Sequence, residues 1–240
     1  MMIEDDIFTF KKFKINQSQC AMKIGTDSVL LGSWLKITDA TNTVLDIGAG
    51  TGILSLMIAQ RSPVQVIDAI EIENNAYEQC VANFENSDLG DRLFCYHASF
   101  HEFCEEIDDT YDLIVSNPPF FDNNGKTSNY EREIARFNNA LPYDELICGV
   151  SKLLSKYGRF NIVIPFDQKS KLNSISKKYG LYPNRILNIK GSTESPFKRC
   201  LIEYQFELNS LEEKNLTIEV SRNNYTNDYI ELTKNFYLKM

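Results

Sequence analysis

This chain of 240 residues has few of the side chains that most often bind metals or form cross-links. It contains only two histidines and six cysteines, and the cysteines include no C-x-x-C pair. The nearest approach to a metal cluster, His97, His101 and Cys104, is divided between a predicted strand end and the element that follows it. We therefore expect no metal site. The scattered cysteines favour a reduced, cytoplasmic protein.

Long apolar runs are also missing. No stretch approaches the ~18 apolar residues that cross a bilayer, and the first six residues are acidic, unlike the basic start of a secretory signal. We therefore expect neither a membrane partner nor a signal. At this length we expect one domain over residues 1–240, with extensions at 1–40 and 209–240. The oligomeric state is left open, with a monomer as the default expectation.

Positive charge is scarce overall, since the formal net charge is −8, but it is concentrated in one segment. Between positions 151 and 200, eleven lysines and arginines are opposed only by Asp167 and Glu194. Surface helices often carry such charges simply to remain solvated. A basic side on an acidic protein is also compatible with nucleic-acid binding, and both interpretations stay open.

Strand-like and helix-like segments alternate along most of the chain. Apolar runs predict strands at 43–47, 65–70, 93–97, 111–116, 159–165, 182–190 and 199–208. Amphipathic segments predict helices that start at Thr26 and cover 53–60, 73–86, 143–156 and 167–179, with a hairpin at 8–15. This order predicts an α/β fold with a doubly wound, seven-stranded, mostly parallel sheet. The last two strands lack a helix between them, so one antiparallel strand is expected near an edge.

The heptapeptide D-I-G-A-G-T-G that starts at Asp46 joins the first of these strands to a helix. Gly48, Gly50 and Gly52 allow a tight turn and close approach of the backbone to a ligand. Their spacing, G-x-G-x-G, differs from the G-x-G-x-x-G of dinucleotide sites, so nothing favours a pyrophosphate. Asp46 suits a ligand with a positive amino group, and Glu71 closes the second strand where an acid binds ribose hydroxyls. The motif predicts a cofactor site.

Asn117-Pro118-Pro119-Phe120 ends the fourth predicted strand. Two prolines cannot continue a strand ladder, so the chain must leave the sheet there. An amide and an aromatic ring then lie at the carboxyl end of a strand, where open α/β sheets bind ligands. The amide accepts a bond from an amino group, and the ring stacks on a planar base. The alternative is that the prolines merely end the strand and Asn117 caps the turn.

The polar segment at 121–141 is a poor candidate for regular structure. Loops of this length in a compact domain are usually functional or disordered. We expect this one to form a wall over a substrate site, where Pro119 and Phe121 contact the substrate. Arg132 and Arg136 are four residues apart, so on a helical turn they would face one way and hold phosphates.

These motifs resemble those of class I S-adenosylmethionine-dependent methyltransferases, with the glycine motif and Glu71 as the cofactor site. By that resemblance, the tetrapeptide marks enzymes that methylate adenine N6, guanine N2 or a glutamine amide. Residues 20–34 resemble the amino-terminal motif of the bacterial valine-tRNA adenine-N6 methyltransferase family, and residues 229–238 resemble its carboxyl-terminal pattern. The resemblance covers nearly the whole chain. It implies tRNA as the partner and adenine 37 as the target.

The same resemblance implies roles for single residues. Asn117 and the Pro118 carbonyl would accept the two N–H bonds of the target amine, and Phe120 would stack on the base. The Lys23, Thr26 and Asp27 segment would cover the methionine end of the cofactor, although helix capping also explains Thr26 and Asp27.

One departure from the pattern follows the third strand. Such enzymes often carry an acid there that contacts the cofactor adenine, whereas this chain has Ser99 and Phe100. A serine can donate a hydrogen bond and a phenylalanine can cover the ring, but neither is assigned to the site.

Three other functions stay open. A guanine-N2 or glutamine-amide target offers an NH2 group to the same acceptors, so the tetrapeptide does not separate these substrates. A nicotinamide oxidoreductase is disfavoured by the glycine spacing. A non-catalytic RNA-binding module with the same fold is the third alternative, because a fold does not establish a function.

Overall fold

The computed structural model describes residues 6–20, 22–119 and 141–239. Its strands are β1 (Ile7–Thr9), β2 (Lys14–Asn16), β3 (Thr43–Ile47), β4 (Val66–Glu71), β5 (Leu93–His97), β6 (Tyr111–Ser116), β7 (Leu154–Pro165), β8 (Tyr182–Ser192), β9 (Phe197–Gln205), β10 (Glu212–Ser221) and β11 (Asn224–Tyr225). Its helices are α1 (Thr26–Trp34), α2 (Ile53–Arg61), α3 (Asn74–Glu85), α4 (Phe100–Glu106), α5 (Tyr143–Leu153), α6 (Lys169–Lys178) and α7 (Asn227–Thr233).

One large sheet forms the centre of the fold, with the strand order β11-β10-β8-β9-β7-β6-β3-β4-β5. Neighbours from β7 to β5 pair in parallel, whereas β9 runs antiparallel to both β7 and β8. The predicted doubly wound α/β fold, with an antiparallel strand among the seven expected strands, is confirmed. The described sheet has nine strands, because the carboxyl-terminal segment adds β10 and β11 beyond β8.

Helices cover both faces of this sheet. The hairpin of β1 and β2 packs with α1, α2, α3 and α7 on one face, whereas α4, α5 and α6 pack on the other. The strands are apolar on both sides, as in β6, where Leu113 and Val115 face the first layer and Ile114 the second. Continuous apolar runs are therefore the expected sequence of these strands. No helix among the described residues is long and apolar enough to cross a membrane.

The predicted end of helix 143–156 is wrong. Helix α5 ends at Leu153, and β7 begins at once with Leu154. Gly158 lies inside β7 and does not end the helix; a Cβ there would come within 2.9 Å of the Tyr111 carbonyl oxygen. The glycine therefore permits close contact between neighbouring strands, where the β6–β7 register is irregular.

Several cations of the basic segment take part in ion pairs. Arg185 pairs with Glu203 at 3.0 Å, and Arg159 approaches the same buried carboxylate at 4.0 Å. Arg185 also lies over the Trp34 ring, 4.2 Å from its centroid. Lys169 pairs with an acid of β10 at 2.9 Å. Arg185 and Arg159 thus connect strands of the sheet, and Lys169 connects α6 to β10. An RNA contact by the other cations of the segment stays a prediction.

The strand order reverses between β3 and β6, and this reversal positions the site. From β3 the chain winds outward through β4 and β5, whereas from β6 it winds the other way to β7. The helices that follow β3 and precede β7 therefore leave on opposite faces and open a crevice at the carboxyl ends of the strands. The Ser116 hydroxyl donates to the Ile47 carbonyl at 2.9 Å and ties the two strand ends together.

Asp46 holds the start of α2 from inside the fold. It is fully buried, and its Oδ2 accepts bonds from the Ser55 N–H at 3.2 Å and the Ser55 hydroxyl at 2.8 Å. A carboxylate at a helix start satisfies a backbone donor and the positive end of the helix dipole. Burial nevertheless raises the pKa of Asp46 to about 7, against the opposing effect of the Ser55 bonds, and the Glu71 charge adds to the rise.

Replacement of Asp46 by Asn should make stability less sensitive to pH. The unfolded parent releases this proton near the ordinary pKa of 3.8, whereas the folded parent retains it up to about pH 7. The parent therefore loses stability as pH rises through this interval. The free energy of unfolding of Asp46→Asn, relative to that of the parent, should rise by on the order of 2–3 kcal/mol between about pH 5 and pH 7. Above pH 7 this difference should stay constant. Urea unfolding of both proteins at each pH measures this difference. A difference in the free energy of unfolding that does not change between pH 5 and pH 7 would contradict the raised pKa of Asp46.

Candidate active site

A cavity of about 620 Å³ opens at the carboxyl ends of β3, β4 and β6. The glycine loop, the end of β4, the residues after β5 and the start of the tetrapeptide after β6 form its wall. Cys20 and Met22 line it from the amino-terminal segment, and Leu146 lines it from α5. Segments that are far apart in the chain thus meet around one space.

The three glycines of the loop all have left-handed backbone conformations, with φ angles of 71°, 57° and 78° for Gly48, Gly50 and Gly52. Gly48 and Gly50 line the cavity, and a Cβ on either would meet no atom within 4 Å. A Cβ on Gly52 would instead come within 2.5 Å of the Phe84 ring. The first two glycines therefore leave space for a ligand, whereas the third allows α3 to pack closely behind the loop.

Glu71 connects the cavity wall to this loop. It is 8% exposed, lines the cavity, and accepts a bond from the Gly50 N–H at 2.8 Å through Oε2. Its Oε1 accepts from the Glu73 N–H at 2.9 Å. A carboxylate has about four lone-pair sites, so acceptor capacity remains for hydroxyl groups of a ligand. A contact of Glu71 with ribose stays a prediction.

Asp46 lies behind the loop. It is not among the described residues that line the cavity, and its Oδ1 is buried without a hydrogen-bond partner in the described part of the chain. Sequence reasoning placed this acid on the correct strand. It could not determine which side of the loop the carboxylate would occupy.

Asn117 has one satisfied and one unsatisfied side-chain atom. Its Nδ2 donates to the Ser28 Oγ at 2.7 Å, whereas its Oδ1 is buried without a partner among the described residues. A buried acceptor that lacks a donor costs about 1–3 kcal/mol. Pro118 and Pro119 also line the cavity. Because proline has no N–H, the backbone of these two residues adds no donor to this part of the wall. The arrangement suits a ligand that brings N–H donors.

The amino-terminal motif reaches the cavity through residues that sequence reasoning missed. Lys23 pairs with Asp6 at 3.0 Å, and Thr26 is exposed at the start of α1. Asp27 pairs with Arg199 at 3.0 Å. None of the three predicted residues is among the described cavity-lining residues, whereas Cys20 and Met22 of the same motif are. An apolar wall leaves only a weak signal in a sequence, because such residues also fill ordinary cores.

Cys20 does not act as a thiolate in this position. Burial raises the pKa of its thiol to about 12, and the neighbouring charges of Glu71 and Glu73 act in the same direction. The thiol is therefore protonated at neutral pH and provides a small apolar surface rather than a nucleophile.

Ser99 and Phe100 both line the cavity after β5. The Ser99 hydroxyl donates to Glu102 at 2.7 Å and accepts from the Glu102 N–H at 3.2 Å, in a capping box at the start of α4. The serine side chain is therefore occupied by the helix. Phe100 is only 8% exposed, and its ring packs in the core against Gly149 of α5, so it forms the base of this wall.

Four predicted site residues, Phe120, Phe121, Arg132 and Arg136, lie outside the described residues. Within the described ranges, no group of three or more His, Cys, Asp or Glu side chains is placed to hold a metal ion.

The described residues fit the cofactor that the motifs imply. The open space beside Gly48 and Gly50 admits a ligand against the backbone, and Glu71 offers acceptors to ribose hydroxyls. Ile72, which is half exposed and lines the cavity at the end of β4, provides apolar surface for a purine. S-adenosylmethionine would thus lie along the loop, with its ribose at Glu71.

Known proteins resemble this chain over most of its length. The model of the methyltransferase small-domain family matches residues 18–179. A protein of Christiangramia forsetii named tRNA1(Val) (adenine(37)-N6)-methyltransferase is 53% identical over 97% of this chain and 98% of its own length. A protein of the same name from Flavobacterium johnsoniae is 48% identical over 98% of this chain and 100% of its own length.

A solved structure supports the fold separately. A predicted O-methyltransferase, protein Atu636 of Agrobacterium tumefaciens, superimposes with a TM-score of 0.67 and 16% identity over 88% of this chain and 96% of its own. At that identity the likeness concerns the fold alone. The sequence identities of 48% and 53% over nearly complete chains show the family as well as the fold. This chain therefore belongs to the tRNA1(Val) (adenine(37)-N6)-methyltransferase family, within the methyltransferase small-domain group.

Proposed function

We propose that this protein transfers a methyl group from S-adenosylmethionine to the N6 amino group of adenine 37 in a valine tRNA. The observation that carries the proposal is the buried Oδ1 of Asn117, which has no hydrogen-bond partner among the described residues and belongs to a residue in the same wall as the glycine loop and Glu71. An amino group that enters the cavity would satisfy this acceptor. The printed names of the relatives at 48% and 53% identity support the choice of this adenine.

The cofactor residues would bind S-adenosylmethionine by leaving space for it and by accepting hydrogen bonds from it. When bound, S-adenosylmethionine supplies an electrophilic methyl group on a positively charged sulfur. Gly48 and Gly50 leave space against the backbone, and Glu71 accepts from the ribose hydroxyls. Asp46 and Gly52 shape the loop from behind. A contact of Lys23, Thr26 and Asp27 with the methionine end stays a prediction from the resemblance.

Activation of the amine is a matter of orientation. The lone pair of an adenine amino group is delocalised into the ring, which makes the nitrogen a poor nucleophile. The Asn117 Oδ1 and the Pro118 carbonyl would each accept one N–H bond. Acceptors outside the base plane favour a pyramidal nitrogen whose lone pair points at the methyl group. No strong base is needed before attack, because the nitrogen would release its extra proton to solvent only after the methyl group is bound and the sulfonium has become a neutral thioether. Positioning would then account for most of the rate enhancement.

Recognition of tRNA requires the adenine to leave its stack. A base in an anticodon loop is accessible in this way, because single-stranded loops can present splayed bases. Phe120 would stack on the base, an interaction worth about 1–3 kcal/mol. Pro119 and Phe121 would flank it, and Arg132 and Arg136 would hold phosphates. Such an enzyme would work in the cytoplasm, where its tRNA is found.

The test of this function is to offer several substrate classes together. The protein is incubated with labelled S-adenosylmethionine and total tRNA, DNA and protein, and the methylated product is identified. We expect N6-methyladenosine at position 37 of valine tRNA. Label only in guanine or in protein would contradict the proposal in favour of the other NH2 substrates.

Replacement of Asn117 by Ala should lower kcat by about 100-fold or more, the usual cost of a lost transition-state hydrogen bond. The Kd for S-adenosylmethionine should stay within a few fold, because the side chain acts on the other substrate. Asn161→Ala is the matched control, since it truncates another buried amide, in the neighbouring strand β7. It should retain the parent kcat. A fully active Asn117→Ala variant would show that the amine is held elsewhere.

Replacement of Gly50 by Ala tests whether the glycine loop binds the cofactor. Gly180→Ala is the control, because both glycines have a positive φ and open space where a Cβ would project. Each variant should lose about 1–2 kcal/mol of stability through the left-handed backbone. Only Gly50→Ala should weaken S-adenosylmethionine binding, by about 10-fold or more, because its methyl group enters the cofactor space. Calorimetry and thermal unfolding measure the two effects; equal Kd values for both variants would argue against the assigned loop.

A further inference from the structure

Helix α1 begins with polar residues that do not cap it. Its N-cap is Gly25, and no side chain in the described ranges makes a capping bond there. From the sequence, helix capping was one explanation for Thr26 and Asp27. Helix capping therefore does not explain the polar residues at this helix start. The side chains of Asp27 and Ser28 instead form bonds to residues outside the helix.

Ser28 bonds to the tetrapeptide. It is 7% exposed, and its Oγ accepts the 2.7 Å bond from Asn117 Nδ2 across 89 positions of sequence. This bond occupies the amide nitrogen, while Oδ1 stays without a partner among the described residues. If the amide turned by 180°, its NH2 group would stand where the amine must bind, with one donor facing another. The serine bond thus fixes the place of the Asn117 side chain, in the orientation that leaves Oδ1 without a partner among the described residues.

Asp27 attaches the same helix start to the other side of the site. Its Oδ2 accepts from Arg199 Nε at 3.0 Å across 172 positions, and both side chains are less than a third exposed. Arg199 lies in β9, which pairs with β7, and β7 pairs with β6. The first turn of α1 is therefore held both by the end of β6 and by β9.

We propose that Ser28 is a positioning residue for Asn117, and that the Asp27–Arg199 pair keeps the helix that carries Ser28 in place. The inference rests on the proposed function, because it takes Asn117 as the acceptor for the reacting amine. It gives Asp27 a different role from the predicted cofactor contact. The two roles differ in their kinetic signature.

Ser28→Ala should lower kcat by about 10- to 100-fold, since a misplacement of about 1 Å costs that much. The KM for S-adenosylmethionine should change less than about twofold, because the cofactor groups are untouched. Ser28→Thr keeps the hydroxyl and should restore most of kcat. Ser33→Ala is the matched control: this buried hydroxyl lies on the same helix and has no partner in the described residues. A parent-like kcat in Ser28→Ala would overturn the inference.

A double-mutant cycle separates positioning from a general effect on folding. If Ser28 acts only through Asn117, then Ser28→Ala should cause no further loss of kcat in the Asn117→Ala background. Losses that add in the double variant would mean that Ser28 acts independently of Asn117, which contradicts the proposal.

Asp27→Ala decides between the two roles of Asp27. A positioning role predicts a lower kcat with an unchanged Kd for S-adenosylmethionine, and Arg199→Ala should reproduce that pattern. A Kd that weakens far beyond any change in melting temperature would instead assign Asp27 to the cofactor. That result would remove the Asp27–Arg199 pair from the inference.

Nuclear magnetic resonance tests the geometry without any substrate. The side-chain amide signals of Asn117 are identified by their absence in Asn117→Ala. They should shift in Ser28→Ala and remain in place in Ser33→Ala. This result is independent of the methylation assay, so failure of the proposed function and failure of the bond are distinguishable. Asn117 signals that do not respond to Ser28→Ala would overturn the inference.

Discussion

The parallel pairing of β3 with β6 is the constraint on which the site depends. These strands are adjacent in the sheet although β4 and β5 lie between them in the chain, so their carboxyl ends meet where the strand order reverses. The glycine loop leaves one strand end and the tetrapeptide leaves the other. The bond from Ser116 to the Ile47 carbonyl fixes the two ends against each other. The glycine loop and the tetrapeptide therefore border one cavity.

Buried polar side chains, rather than exposed ones, hold this geometry. Asp46 supports the start of α2 from below, Glu71 binds the loop at Gly50, and Ser28 holds Asn117. Each joins two elements through short bonds in a place from which water is largely excluded. Such bonds are costly to lose, because the group left behind is buried without a partner. The cavity is thus bordered by residues that keep one arrangement before any ligand arrives.

Local patterns predicted most of the central fold. The strands at 43–47, 93–97 and 111–116 were predicted with their observed bounds, because apolar runs end there at clear turn signals. The end of α5 was missed, since Gly158 is typical of a helix terminator but here serves a strand contact. Strand β10 was missed because it is polar and mostly exposed, and its place depends on the edge that β8 offers.

The chemistry of the site was contained in the sequence, whereas the partners of its side chains were decided by the tertiary structure. A strand end, a glycine motif and an amide–proline pair predict, from local spacing alone, a site for a cofactor with a ribose and for an amine, and both contacts stay predictions. The contacts of Asn117 with Ser28 and of Asp27 with Arg199 span 89 and 172 positions. No local pattern encodes them, because they arise only when the order of strands in the sheet brings those elements together.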